Sequence, residues 1–524
     1  MLAGLEIKRQ KLKEQLNVHH DRLTQCLPSE IVAEIFELCI PNDYMDLDLG
    51  RARSRFALCA PLVLSSVSRR WRDVACSTPR LWKTLLLYFP SPHSELYPTV
   101  SFIDEWIQRA TQHPLSILLR ITSHEAKPGN DVDSDSGSDS SRSEVQARNK
   151  EEDPAIPIIK LLNLYSHRWQ ELKFKGPTSL LRHLLIDDKN SPQLHTLHLE
   201  NRNLFRPRPN LTSLQPRRLK SLQIAGNMLK SVVFDWSNLT KLNLDHCTLS
   251  ECFEGLRRAP HLIECKFSCT RTTVLDPEDY TFPLPREPIT QPALQELQIP
   301  APYYKKIFPM LICPSLKSLA LDLAGHKRVQ VPSVIEFLRK SGCHLESFSF
   351  VNDASLSQTD ITLICQEIPT LQSLFMRLYT SNASSVPPIL YAHLSEFLDE
   401  TIDGKRKPKY LPALQSFHVE LGKLHELEPM LGIFGIPSRG SEGRRHRRTL
   451  EYMTICADIV SSSALNQSAF DRIGKETLKA ILRLKEAGVK WKIRYGPDRE
   501  DMIEPAIEHY GLSSLPSPAQ NITI

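Results

Sequence analysis

Two segments, Pro292-Ala293-Leu294-Gln295-Glu296-Leu297-Gln298-Ile299 and Pro314-Ser315-Leu316-Lys317-Ser318-Leu319-Ala320-Leu321, decide how this chain is read. Each carries Leu-x-x-Leu-x-Leu or a near match. Successive side chains of an extended strand point to opposite faces, so Leu297 and Ile299 share one face while Glu296 and Gln298 share the other. The same apolar triplet starts at Trp169-Leu172-Phe174 and returns as Leu194-Leu197-Leu199, Leu219-Leu222-Ile224, Leu239-Leu242-Leu244 and Leu262-Cys265-Phe267. It continues beyond the two opening segments as Leu345-Phe348-Phe350, Leu371-Leu374-Met376, Leu414-Phe417-Val419 and Leu450-Met453-Ile455. One short strand cannot bury its own apolar face. A stack of such units can, each covering the next.

A period of about 20 to 30 residues is the signature of a leucine-rich-repeat solenoid. The residues between the apolar positions are polar almost throughout: Thr196 and His198, Ser221 and Gln223, Lys241 and Asn243, Ser347 and Ser349. Asn227 with Leu229, and Cys247 with Leu249, fit the small polar or sulfur position of the longer motif. Most repeats lack it, which predicts an irregular array. Helical patterns fill the intervals at Ile158–Ser166, Val334–Lys340, Ile361–Glu367, Ile389–Glu400 and Glu476–Ala487, and a last strand is expected at Val489–Tyr495. Upstream, a strand at Lys83–Tyr88, a helix at Phe102–Ala110 with Phe102, Ile103, Trp106 and Ile107 on one side, and a strand at Leu115–Ile121 already make the same unit.

Ahead of the array, LPSEIVAEIFELCI begins at Leu27 and APLVLSSVSRRWRDVACSTPRLW ends at Trp82. Leu27, Ile31, Ile35 and Leu38 recur at helical spacing with Phe36 beside them, and Leu62, Val63, Val67, Trp71 and Val74 form a second stripe. Pro28 opens the first helix, where a missing N–H costs nothing, and Glu30 suits its positive end. Helices this short hold too little apolar area for a core of their own. The run Leu27-Pro28-x-Glu30-Ile31, Ile35-Phe36, Val67-x-x-x-Trp71-Arg72 and Pro79-x-Leu81-Trp82 resembles an F-box of the fungal F-box-like type. Ser68 stands where that family often has Cys, and about twenty residues, Pro41 to Ala60, separate the halves. The resemblance implies helices that dock on a Skp-type adaptor, and through it on a cullin–RING ubiquitin ligase. The adaptor-facing residues it implies are Leu27, Pro28, Ile31, Ile35, Phe36, Leu62, Val67 and Trp71. With His167-Arg168-Trp169-Gln170-Glu171-Leu172 and the Pro-x-Leu-x-x-Leu strand starts, the whole chain is similar to F-box/leucine-rich-repeat proteins.

The expected fold is therefore α/β: a small helical F-box, then an irregular leucine-rich-repeat solenoid with parallel strands lining one face and helices on the other. The expected organisation is a charged helix over 1–24, with Leu5, Leu12 and Leu16 at heptad-like spacing, and an F-box-like domain over 25–82. First strand–helix–strand units follow over 83–125, a disordered acidic Ser-rich loop over 126–154, the repeats over 155–496 and a tail over 497–524. The loop contains Asp135-Ser136-Gly137-Ser138-Asp139-Ser140, which resembles a phosphodegron. Its near lack of apolar residues leaves nothing to bury.

Composition narrows the function. A net charge of +5 over 524 residues makes no case for nucleic acid or an anionic membrane. The N-terminal stretch is charged throughout and no apolar run is long enough to span a bilayer, so a cytoplasmic or nuclear protein is expected. The 12 cysteines form no disulfide framework and read as reduced thiols. Cys247, Cys252, Cys265 and Cys269 are too unevenly spaced for a structural zinc site, and no metal or other cofactor is expected. No GxSxG, HExxH, GxxxxGK[ST] or GxGxxG occurs, so no catalytic residue is expected and the chain is not read as an enzyme. Two basic clusters, Lys405-Arg406-Lys407 with Lys409 and Arg444-Arg445-His446-Arg447-Arg448, read as solvated loops, an import signal or contacts for an acidic ligand.

These readings converge on the substrate-recognition subunit of an SCF-type ubiquitin ligase, with an unknown target protein on the strand-lined face. The residues placed toward that target are His198, Lys241, Lys266, Phe375, Arg377 and His418. The alternative is a protein-binding scaffold unconnected to ubiquitination, in which the head helices only cap the array.

Overall fold

Four strands of this protein are preceded by one device. In Ser191-Pro192-Gln193-Leu194, Gln291-Pro292-Ala293-Leu294, Cys313-Pro314-Ser315-Leu316 and Ile368-Pro369-Thr370-Leu371, proline takes the second position of a tight turn, where its fixed φ suits the bend. The Leu N–H closes each turn by donating to the carbonyl of the residue before the proline, at 3.2, 3.5, 3.3 and 3.2 Å. The computed structural model describes residues 2–40, 60–89, 98–121, 153, 155–187, 189–200, 216, 218–225, 228–230, 232, 235–268, 282–322, 329–350, 356–378, 386–402, 405–421, 427–434, 450–457, 473–495 and 500–512. The Ser-rich loop apart from Asp153, the cluster Arg444–Arg448, Asn227, Cys269 and residues 41–59 lie outside the described residues.

The chain divides into two compact units, Met1–Leu239 and Thr240–Ile524. The first begins with helices α1 (Leu2–His20), α2 (Arg22–Cys26), α3 (Ser29–Leu38), α4 (Ala60–Val67) and α5 (Arg69–Ser77), then a 3-10 turn, Pro79–Trp82. Its strands are β1 (Thr84–Phe89), β2 (Leu115–Ile121), β3 (Trp169–Lys175), β4 (Thr196–Glu200) and β5 (Ser221–Ala225), all parallel, each beside its sequence neighbour. The second unit follows the same rule with β6 (Lys241–Asp245), β7 (Glu264–Phe267), β8 (Glu296–Pro300), β9 (Ser318–Asp322) and β10 (Ser347–Phe350). It goes on through β11 (Ser373–Leu378), β12 (Ser416–Leu421), β13 (Tyr452–Ala457) and β14 (Lys490–Tyr495), and an antiparallel β15 (Glu500–Asp501) ends it. Parallel strands in sequence order with helices between them make an α/β, solenoid-like arrangement within each unit.

All three residues of each of the eleven apolar triplets are at most 2% exposed. Helices cover that face. At Gly255, in the helix Leu249–Arg258, an added Cβ would stand 3.0 Å from Leu242 and 3.1 Å from Leu244. That helix starts in a capping box: the Glu251 N–H donates to Thr248 Oγ1 at 3.4 Å and the Thr248 N–H donates to Glu251 at 2.8 Å. The helix Val331–Ser341 is stopped by Gly342 at φ 64°, a left-handed position that favours glycine.

The secondary-structure elements differ from expectation at three places. The helix expected over Ile389–Glu400 runs Val386–Leu394, after which Phe397–Ile402 pairs antiparallel with Lys405–Pro408. The first basic cluster is therefore largely a hairpin strand, with the Lys409 ammonium 2.8 Å from Glu396. The expected 497–524 tail is folded over part of its length, because Ile503 and Ala506 give the helix Ile503–His509 a buried face. In Val100–Arg109 the apolar face is Ile103, Trp106 and Ile107, and Phe102 is exposed. Among the described residues no helix is long and apolar enough to cross a membrane.

Candidate protein-docking surfaces

The head owes its shape to a division of its apolar residues. Val32 and Phe36 of α3, Leu64 of α4 and Val74 of α5 are buried, with the Phe36 and Trp71 ring centroids 4.8 Å apart. Ser68 breaks the second stripe into two helices by capping α5, its hydroxyl accepting from the Trp71 N–H at 3.2 Å. Trp71 is half-buried, and its indole N–H donates to the Asp21 carboxylate at 2.8 Å. Trp82 anchors the far side, donating to the Ala75 carbonyl at 2.8 Å while its own carbonyl accepts from Trp106 at 2.9 Å.

Left outside are Ile31 at 42% exposure, Val63 and Val67 at 48% and Leu38 at 85%. Leu27, Ile35 and Leu62 are half-buried and Pro28 is exposed. Phe36 is a correction: expected to face an adaptor, it is wholly buried, because a helix three turns long must spend its largest side chain on the only core available to it. Val63 and Leu38 take up the exposed role instead. Both lie in the stripes read from the sequence. No protein-family model and no curated protein matches this chain.

Asp21 ties this surface to the helix before it. Burial pushes its carboxyl up, but hydrogen bonds from Thr24 and Trp71, with Arg70 close by, outweigh that and hold it below its usual value. A carboxyl lowered on folding stabilises the fold above its ordinary value of 3.8, and the contribution is lost as pH falls below it. The Trp71 indole should thus lose its charged partner in acid. Asp21→Asn should remove about 1 kcal/mol at neutral pH, the low end for a bond to a partly solvated charge. It should also flatten the loss of stability below pH 3.8, read by urea unfolding across that range. Parallel pH profiles for the two proteins would contradict the assignment.

On the strands, the six residues placed toward a target separate into three groups. Lys241 is exposed and Lys266 half-buried, and both share the Glu264 carboxylate, Lys241 at 2.9 Å. Glu264 is pushed up by burial and pulled further down by those two ammonium groups. His198 is a correction: it lies on the polar side of β4 but is buried, and burial with Lys173 and Lys175 nearby pushes its pKa down to about 2. A neutral, covered imidazole is a poor contact for a partner.

Phe375, Arg377 and His418 form the third group. The register sets Phe375 beside His418 and Arg377 beside Glu420, and next along lie Thr454 and Cys456. The Phe375 and His418 ring centroids are 4.6 Å apart. Arg377 donates through Nε to Glu420 Oε2, while Glu420 Oε1 lies 3.6 Å from His418 Nε2. The Cys456 sulfur is 3.8 Å from the same nitrogen. Sequence reasoning missed Glu420 and Cys456. Their signal was the alternation itself, since both occupy polar-face positions.

The thiols around the second unit's first two strands behave otherwise. Cys247 and Cys252 sulfurs are 3.4 Å apart, and burial pushes the Cys252 and Cys265 thiols well above their usual range. Cys252 and Cys265 keep their protons, and all three side chains pack as small apolar groups.

Proposed function

We propose that this chain is the substrate-recognition subunit of an SCF-type ubiquitin ligase, a member of the F-box/leucine-rich-repeat type working in the cytoplasm or nucleus. The head docks a Skp-type adaptor, and the polar faces of the strands bind a target protein. Ubiquitin transfer belongs to the partners. The contribution of this chain is proximity, which raises the local concentration of the target at the conjugating enzyme.

One observation carries the reading: a head that has already satisfied its own core around Phe36 still exposes Ile31, Leu38, Val63 and Val67. An isolated exposed Leu means little, but four large apolar side chains on two helices of the head suit a partner surface. A head acting as a cap alone would have no need of that face, which weighs against the scaffold reading. Lys241, Lys266 and the Phe375–His418 pair are the positions that suit a target. The test is direct binding of the full-length chain to a purified Skp-type adaptor by calorimetry. Saturable one-to-one binding is expected, and an absence of heat and of a co-eluting complex sinks the proposal.

A further inference from the structure

The group around His418 has a feature that protein docking does not require. Among the described residues, His418, Glu420 and Cys456 bring one nitrogen, one carboxylate oxygen and one sulfur within 4.8 Å of one another. We propose that these three side chains form a zinc-binding site on the polar face of β12 and β13.

The fold explains how they meet. His418 and Glu420 are two residues apart on β12, so they project from the same face. Cys456 is the register partner of Glu420 on β13, one strand spacing away. His418 and Cys456 are 38 residues apart in the chain, which is why no ligand spacing shows in the sequence.

Two of the three separations suit the metal, and the third, between the carboxylate oxygen and the sulfur, is within 4.8 Å. Bonds of about 2.0–2.1 Å to nitrogen, 2.0–2.2 Å to oxygen and 2.3 Å to sulfur in a tetrahedron put the donor atoms about 3.3–3.6 Å from each other. The nitrogen–oxygen and nitrogen–sulfur separations here are 3.6 and 3.8 Å. Closing around an ion needs side-chain shifts of a few tenths of an ångström on those two edges. The mixture of one imidazole, one carboxylate and one thiolate favours zinc over the all-oxygen preference of magnesium or calcium.

The surroundings orient the donors. Arg377 holds Glu420 by Oε2 and turns Oε1 toward His418, and the Phe375 ring lies against the imidazole. Outer partners of this kind commonly set a ligand's direction. Arg377 also repels a dication. Zinc therefore depends on two anions: the carboxylate, and the thiolate formed when Cys456 gives its proton to water. Two plus charges and two minus charges then cancel. Glu420 and Cys456 are buried and His418 is half-buried, so ion entry and a fourth, water-filled position lie on the imidazole side. The inference stands independently of whether the head docks an adaptor.

The test uses the full chain, stripped with a chelator and titrated with cobalt(II), then displaced by zinc(II). One cobalt per chain is expected, with a sulfur-to-cobalt charge-transfer band in the near ultraviolet. Cys456→Ser should abolish the band, and Cys456→Ser and His418→Gln should each weaken zinc binding at least about 100-fold, the upper range already reached by losing outer partners. The chain has 12 cysteines and 18 histidines, so the variants decide the outcome. A band that survives in Cys456→Ser overturns the site, as does wild-type binding no tighter than that of His418→Gln/Glu420→Gln/Cys456→Ser. Should Cys456→Ser fail to fold, the loss of zinc affinity in His418→Gln, a half-buried position whose variant is checked by circular dichroism, is sufficient by itself to uphold or overturn the site.

Discussion

Replacing Ile31 and Val63 together by aspartate should abolish adaptor binding while leaving the head folded. Both side chains are about half exposed, so little packing is lost when they change. Surface substitutions of this kind stay within about 0.5 kcal/mol, a shift in melting temperature of about 1–2 °C for a unit this size. The cost falls on the complex. Each site forfeits about 1 kcal/mol of apolar burial and adds about 1–3 kcal/mol for desolvating a carboxylate. Together these exceed about 4 kcal/mol, or roughly a thousandfold in Kd. Isothermal calorimetry with a Skp-type adaptor reads the first half and a thermal melt the second. Full affinity in a folded double variant would remove this face from the interface. Leu27→Ala with Pro28→Ala is a poorer probe, because Pro28 stands at the start of α3 and its loss disturbs that helix as well.

Trp82→Ala should cost about 4 kcal/mol of the first unit's stability, within the 3–5 kcal/mol usual for a buried tryptophan. The ring is wholly buried and meets Trp106 edge-on at 4.8 Å, and the Arg109 guanidinium lies 4.6 Å over it. Its indole N–H satisfies the Ala75 carbonyl, which the variant leaves buried without that donor. Against a total of about 5–15 kcal/mol for an ordinary domain, this is a large share. Urea unfolding followed by tryptophan-independent circular dichroism should show a clearly lower midpoint. Adaptor binding should fall with it, because Trp82 holds the head helices to the strand–helix unit that follows. A loss under about 1 kcal/mol would mean that the pocket collapses around the gap and that Trp82 is not the joint.

Much of the fold was legible in the sequence because it is periodic. A two-residue alternation inside each strand fixes which side chain turns inward, and a repeat every few tens of residues fixes which strand lies beside which. Leu297, Leu319 and Phe348 could be placed in the core on that ground alone, and all three are buried. Local chemistry was legible in part: Pro292 and Pro314 were read as strand starts, whereas Ser68 stood in the sequence only as a departure from the usual Cys, and its capping of α5 emerged from the structure. Where periodicity stopped, expectation erred. Nothing in the pattern over 395–409 distinguishes a continuing helix from the hairpin that forms. Ile503 and Ala506 are too few to announce a helix by themselves.

The candidate sites divide along the same line. The sequence marked Ile31, Val67, Lys241, Phe375, Arg377 and His418 as members of particular faces, because a face follows from spacing. It could not say which members stay uncovered. Phe36 and His198 carry the right spacing and are buried, since burial is decided by what the rest of the unit lays against them. Nor could it bring Cys456 to His418 and Glu420, for their meeting depends on the register between β12 and β13. From the chain alone came the strand order, the inward and outward sets and the apolar stripes of the head, because short-range periodicity encodes them. Exposure and side-chain meetings across strands were settled by the tertiary structure, because they arise from packing between segments that are distant in the chain.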